Sequence, residues 1–154
     1  MAIRNIVKEG DEHLAKVCRP VEKFDRHLEE LVHDMKDTLK LAEGLGLAAP
    51  QVGILRRVVV VVDDNGKMFE LINPEIVEAV GEQEAHEGCL SIPGVFGVTR
   101  RPARVTVRAK NVKGEDVQYT REGITAVCFC HELDHLDGIL FRTHVEHYLD
   151  PDED

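Results

Sequence analysis

Arg121-Glu122-Gly123-Ile124-Thr125-Ala126-Val127-Cys128-Phe129-Cys130-His131-Glu132-Leu133-Asp134-His135-Leu136 is the stretch around which the rest of this chain is organised. Ile124, Val127 and Cys128 recur at helical spacing, and His131 and His135 continue the same stripe. The spacing therefore predicts a helix from about Arg121 to Leu136 with both histidines on its buried face. Residues four apart on a helix sit one turn above each other. Two imidazoles so placed can grip one metal ion, and Glu132 beside them offers a carboxylate for proton transfer. The plainer interpretation is a chance match on a solvated helix. It fits poorly, because two histidines on an apolar face need partners.

Outward from this helix, Asp25 is placed to cap a second one running from about Arg26 to Glu43. Leu28, Leu31, Val32, Met35, Leu39 and Ala42 form its apolar stripe, and Gly44 is suited to end it. Gly44-Leu45-Gly46-Leu47-Ala48-Ala49-Pro50-Gln51 fits neither the helical nor the strand period. Arg57 to Val62 is β-branched and predicts a buried strand, with Asp63-Asp64-Asn65-Gly66 turning into a return over Met68 to Ile72. Shorter strands are expected near Ile76 to Val80, Glu82 to Glu87 and Arg104 to Ala109. A turn at Asn111 to Gly114 leads into another at Asp116 to Tyr119. Gly138 ends the histidine helix, and Ile139 to Phe141 reads as a return to a sheet. Short antiparallel strands bracketed by two helices predict an α+β class. With neither an internal repeat nor a linker, a single domain over 1–154 is expected, frayed and acidic from about residue 147.

Composition narrows the function. With 43% hydrophobic and 31% charged residues, the chain is globular rather than disordered. A net charge of -10 disfavours nucleic-acid backbones and anionic membrane surfaces. The longest apolar run, Val58 to Val62, is too short to span a bilayer. Met1 to Asn5 has no apolar segment of the kind that begins a secretory signal. Cys18, Cys89, Cys128 and Cys130 contain no C-x-x-C pair, so reduced thiols are expected rather than a disulfide framework.

Two histidines leave a catalytic site one protein ligand short. The H-E-x-x-H-x-x-G-x-x-H pattern of one protease class is followed through Gly138, but Phe141 stands where the third histidine belongs and cannot ligate. Downstream, only Glu146 and Glu153 could serve as a glutamate ligand, with little chain to build a helix around them. Upstream, Cys89 in Glu87-Gly88-Cys89-Leu90-Ser91 offers a thiolate. Taken alone, it reads better as a plain buried cysteine in a strand.

Gly44 to Gln51, Glu87 to Ser91 and His131 to His135, in this order, closely resemble the three signature motifs of the peptide deformylase family. Each is suggestive; the set is highly specific, and the similarity runs from the N-terminus to about His144 without a large insertion, as in the bacterial type. The resemblance implies antiparallel sheets packed around a central helix that carries H-E-x-x-H. It implies a hydrolase that takes the formyl group from the N-terminal formylmethionine of newly made polypeptides in the bacterial cytoplasm and releases formate. Carried onto matching positions, Cys89, His131 and His135 are the metal ligands and Glu132 is the general acid/base. Gln51 and the backbone N–H of Leu90 then face the formyl oxygen. The methionine slot is walled by Leu45, Ile124, Val127 and Cys128, and backbone at Leu45, Gly46 and Gly88 pairs with an extended peptide. The family implies Fe2+ in cells, with Zn2+, Ni2+ or Co2+ as substitutes that the same donors accept.

Glu87 and Arg101 match a charged pair of the family. Cys130 stands where glutamine is common and is expected to point away from the ligands. Gly94-Val95-Phe96 lacks the polar or basic residue that often helps hold substrate. The short acidic tail departs from relatives with a basic, ribosome-docking helix, which leaves transient ribosome proximity as the implied partner relation beyond the nascent chain. The competing classes are an H-E-x-x-H zinc endopeptidase and a non-catalytic metal-binding module. Formate release, against digestion of an unfolded protein, separates them.

Overall fold

The structure is a computed structural model that describes residues 2–150. Helix α1, Arg26–Ala42, begins where Asp25 accepts a hydrogen bond from Leu28 N. Its end differs slightly from expectation: Glu43, not Gly44, takes the left-handed position, at φ 56°. Three-residue β1, Gly46–Ala48, follows, then β2, Val58–Val62. β3, Met68–Val80, fuses two expected strands into one, with register shifts around Ile72–Glu75 and Ile76–Glu78. β4 is Gln83–Cys89, β5 Ile92–Arg101, β6 Arg104–Lys110 and β7 Asp116–Glu122. Helix α2 is Gly123–Leu136, starting two residues late because β7 runs on to Glu122.

β1-β2-β3-β6-β7 form one antiparallel sheet. The five valines of β2 explain how it is covered. Successive strand side chains point to opposite faces, so Val58 and Val60 meet Leu28, Val32, Met35 and Leu39 of α1. Val59 and Val61 meet Ala126, Phe129, Leu133 and Leu136 of α2. A strand covered on both faces reads as an unbroken apolar run.

The second sheet, β4-β5-β8, ends with β8, His147–Tyr148, which pairs with β5. The tail expected to fray from residue 147 is thus paired at its start; residues 151–154 lie outside those described. The expected return strand at Ile139 to Phe141 does not form. Phe141 instead opens a 3-10 turn, Phe141–His144, and is buried. α2 touches strands of both sheets, so the helix carrying the histidines lies at their junction.

Candidate metal centre

His131 and His135 project from the same face of α2, with ring centroids 5.0 Å apart. β4 ends on Cys89, whose Sγ lies 3.4 Å from His135 Nε2. One ligand atom from each of Cys89, His131 and His135 falls within 4.8 Å of the others. Among the described residues no fourth histidine, cysteine or carboxylate joins the group. That matches three protein ligands and an open position, the pattern of catalytic rather than structural sites.

Surrounding groups set which atoms face the centre. His131 Nδ1 is 2.8 Å from Glu87 Oε1, leaving Nε2 to face Cys89 and His135. Glu87 is in turn held by Arg101, through Nε at 2.6 Å and Nη2 at 3.0 Å, and by the Thr99 hydroxyl. The two charged side chains are only 4% and 3% exposed, so this is a buried bidentate pair and not a surface one. Arg101 Nη1 also reaches Asp134 of α2 at 3.0 Å, tying β5 to the ligand helix. Phe141, which cannot ligate, stacks on the His131 ring at 5.9 Å between centroids.

The two histidines sit in opposite electrostatic settings. Burial acts against charge on His131, but Glu132, Cys89 and Glu87 raise it to about 10. Burial and the neighbouring His131 push His135 down to about 3, which keeps a lone pair available. Burial pushes the Glu87 carboxyl up, yet the bonds from His131, Arg101 and Thr99 outweigh it and hold it at about 2. A thiol and two imidazoles, one of them set among carboxylates, fit a divalent transition ion.

Glu132 stands beside the ligands, 4% exposed, and its Oε1 has no protein partner. Burial raises its carboxyl to about 7, with the His131 charge pulling the other way. Gly46 makes room for it: a Cβ there would lie 2.6 Å from Glu132 Oε2. Gln51 sits on the 3-10 turn Ala49–Val52 that follows β1. Its Oε1 accepts from Ala48 N at 2.9 Å. That turns Nε2 toward Cys89 Sγ, at 3.6 Å, and Ser91 Oγ, at 3.1 Å.

A cleft of about 430 Å³ opens above these groups. Leu45, Gly46, Gln51, Gly88, Cys89, Leu90, Ile124, Val127, Cys128, His131 and Glu132 all line it. Of the residues nominated from sequence, His135 alone is not a lining residue; it is fully buried. β1 and β4 are both edge strands, and both border the cleft. Cys130 packs into the core instead, and burial pushes its thiol up to about 11. Sequence reasoning gave no role to Ser91, Thr99, Asp134 or Phe141. Ser91 and Asp134 lay inside quoted motifs, but the partners of all four are brought to them only by folding.

Residues 3–149 match the family described as Polypeptide deformylase. The peptide deformylase of Acetivibrio thermocellus is 54% identical over 99% of this chain and 89% of its own length. That of Caldanaerobacter subterraneus is 49% identical over 99% and 96%. The crystal structure of a peptide deformylase from Thermotoga maritima superposes with a TM-score of 0.90 at 40% identity, covering 94% of this chain and 98% of that one. One from Legionella pneumophila gives 0.90 at 44%, covering 94% and 86%.

Proposed function

The chain belongs to the polypeptide deformylase family, and we propose that its cleft removes the formyl group from N-terminal formylmethionine of newly synthesised polypeptides, releasing formate. The observation that carries this is the convergence of the Cys89, His131 and His135 ligand atoms beside an unpartnered Glu132 oxygen. Cys89, His131 and His135 would hold the metal, Fe2+ in cells, with Zn2+, Ni2+ or Co2+ as substitutes. When bound, such an ion supplies Lewis acidity and makes water acidic near neutrality.

The protein's own groups do the remaining work. Glu132 Oε1 is buried and free of protein donors, so it accepts the proton of the attacking water. As the formyl C–N bond breaks, the same oxygen returns that proton to the departing amine. A carboxyl poised near neutrality suits both halves of this exchange. Gln51 Nε2, aimed by the Ala48 N–H bond, and the Leu90 N–H donate to the formyl oxygen as charge develops on it. Each well-placed donor of this kind is worth roughly 3–4 kcal/mol.

The peptide lies between the two free sheet edges, with backbone at Leu45, Gly46 and Gly88 pairing with it as an added strand. Its methionine enters the slot of Val127 and Cys128, with His131 at the floor and Leu45 and Ile124 toward the mouth. The compartment proposed is the bacterial cytoplasm, where formylated chains are made; no helix among the described residues is long and apolar enough to cross a membrane. The net charge of -10 argues against nucleic-acid binding and for no more than transient proximity to the ribosome.

Anaerobic purification, metal analysis and formate release from a formyl-methionyl peptide test this. Formate is expected with Fe2+, Co2+ or Ni2+ loaded. Glu132→Gln should keep its metal and lose about 10²-fold or more in kcat. No formate with any of these ions loaded, or near-normal turnover by Glu132→Gln, would sink the proposal.

A further inference from the structure

Three large apolar side chains that folding leaves exposed stand together. Leu45, Phe96 and Ile124 are 44%, 51% and 56% exposed, and all three line the cleft. They come from separate places: the residue before β1, the middle of β5 and the first turn of α2. Single exposed apolar residues need no explanation, but a converging set around a ligand cleft does. Phe96 is also firmly held. Its backbone pairs with Gly88 on one side, and its carbonyl accepts from Leu149 N at 2.8 Å on the other. The ring lies over Gly88, where a Cβ would come within 2.6 Å of it. An aromatic ring presented by fixed backbone costs little entropy on binding.

Building on the deformylase activity proposed above, we infer that Phe96, with Leu45 and Ile124, forms a specificity rim that favours an apolar side chain at the third residue of the formylated peptide. Alternate side chains of an extended strand share a face. With methionine directed into the slot, the second side chain points away. The third returns to the same side about 7 Å farther along, at the mouth. The three rim side chains carry no charge. An apolar group landing on them removes two apolar surfaces from water, whereas a charged one loses water against three side chains that offer it no hydrogen bond.

The test is kcat/KM, by formate release from metal-loaded enzyme, for formyl-Met-Gly-X peptides with X = Gly, Leu, Phe, Glu or Lys. It is run on the unmodified protein, Phe96→Ala and Phe96→Leu. Leu and Phe should exceed Glu roughly five- to tenfold. Phe96→Ala should cut that ratio to about twofold, and Phe96→Leu should keep most of it. Because each ratio is taken within one preparation, partial misfolding of a variant cancels. A flat profile, a preference for Lys over Leu set by the acidic field, or an unchanged ratio in Phe96→Ala overturns the rim. No formate from any peptide with the unmodified protein would instead overturn the deformylase activity and the rim with it.

Discussion

The Glu132 carboxylate occupies a space that Gly46 leaves open. A Cβ at residue 46 would sit 2.6 Å from Glu132 Oε2 and 2.7 Å from its Cγ, too close for either to stay in place. Gly46→Ala should therefore displace the carboxylate without touching a ligand. Metal content is expected to stay normal while kcat falls about 10²-fold, as a misplacement near 1 Å commonly costs; formate assays beside metal analysis check it. Loss of metal along with activity would mean that the glycine serves the ligands instead. Glu87 shows a different dependence. Its role was foreseen only as half of a charged pair with Arg101, yet the fold makes it the acceptor that orients His131.

Among elements, the helices were the most legible, and the strands interrupted by glycine, alanine or proline the least. α1 carries its own start signal, and Asp25 caps it as its place in the sequence implies. Asp25→Ala should cost about 1 kcal/mol, some 3 °C in melting temperature for a chain of this size, with activity per folded molecule unchanged; thermal melts beside formate assays decide it. β1 and β5 escaped the sequence reading because glycine, alanine and proline interrupt the strand pattern over Gly46–Ala48 and Ile92–Arg101. Their partners supply what propensity does not: β1 is held by β2, and β5 by β4 and β8. The reverse error occurred at Ile139 to Phe141, where three apolar residues suggested a strand. Phe141 is apolar because it packs on His131, not because it joins a sheet.

At the scale of the molecule, α1 is clamped to the large sheet through Glu70 of β3, which accepts from Lys36 Nζ at 2.7 Å and Val112 N at 3.2 Å. Burial pushes this carboxyl up, but the bonds from Lys36 and Val112 prevail and hold it below the ordinary 4.5. A carboxylate lowered in the folded state contributes stability that is complete above the unfolded value and is lost as pH falls through the folded one. Denaturant midpoints should thus drop between about pH 5 and pH 3 more steeply in the unmodified protein than in Glu70→Gln. Parallel pH curves for the two would show that Glu70 does not couple folding to protons.

The histidine pair, the acid between them and the helix beneath them were readable from residues 121–136, because helical spacing is a local property of the backbone and needs no distant partner. The identity of the third donor was not local in that sense. Cys89 lies 46 residues from His135, and Gln51 lies 38 from Cys89; their motifs named them, but spacing along the chain could not place them in contact. Folding two sheets against one helix brings their atoms together, since α2 packs against β1 and β2 of one sheet and β4 and β5 of the other. The cleft between those edges, the orientation of His131 by Glu87 and the rim around Phe96 belong to that packing alone.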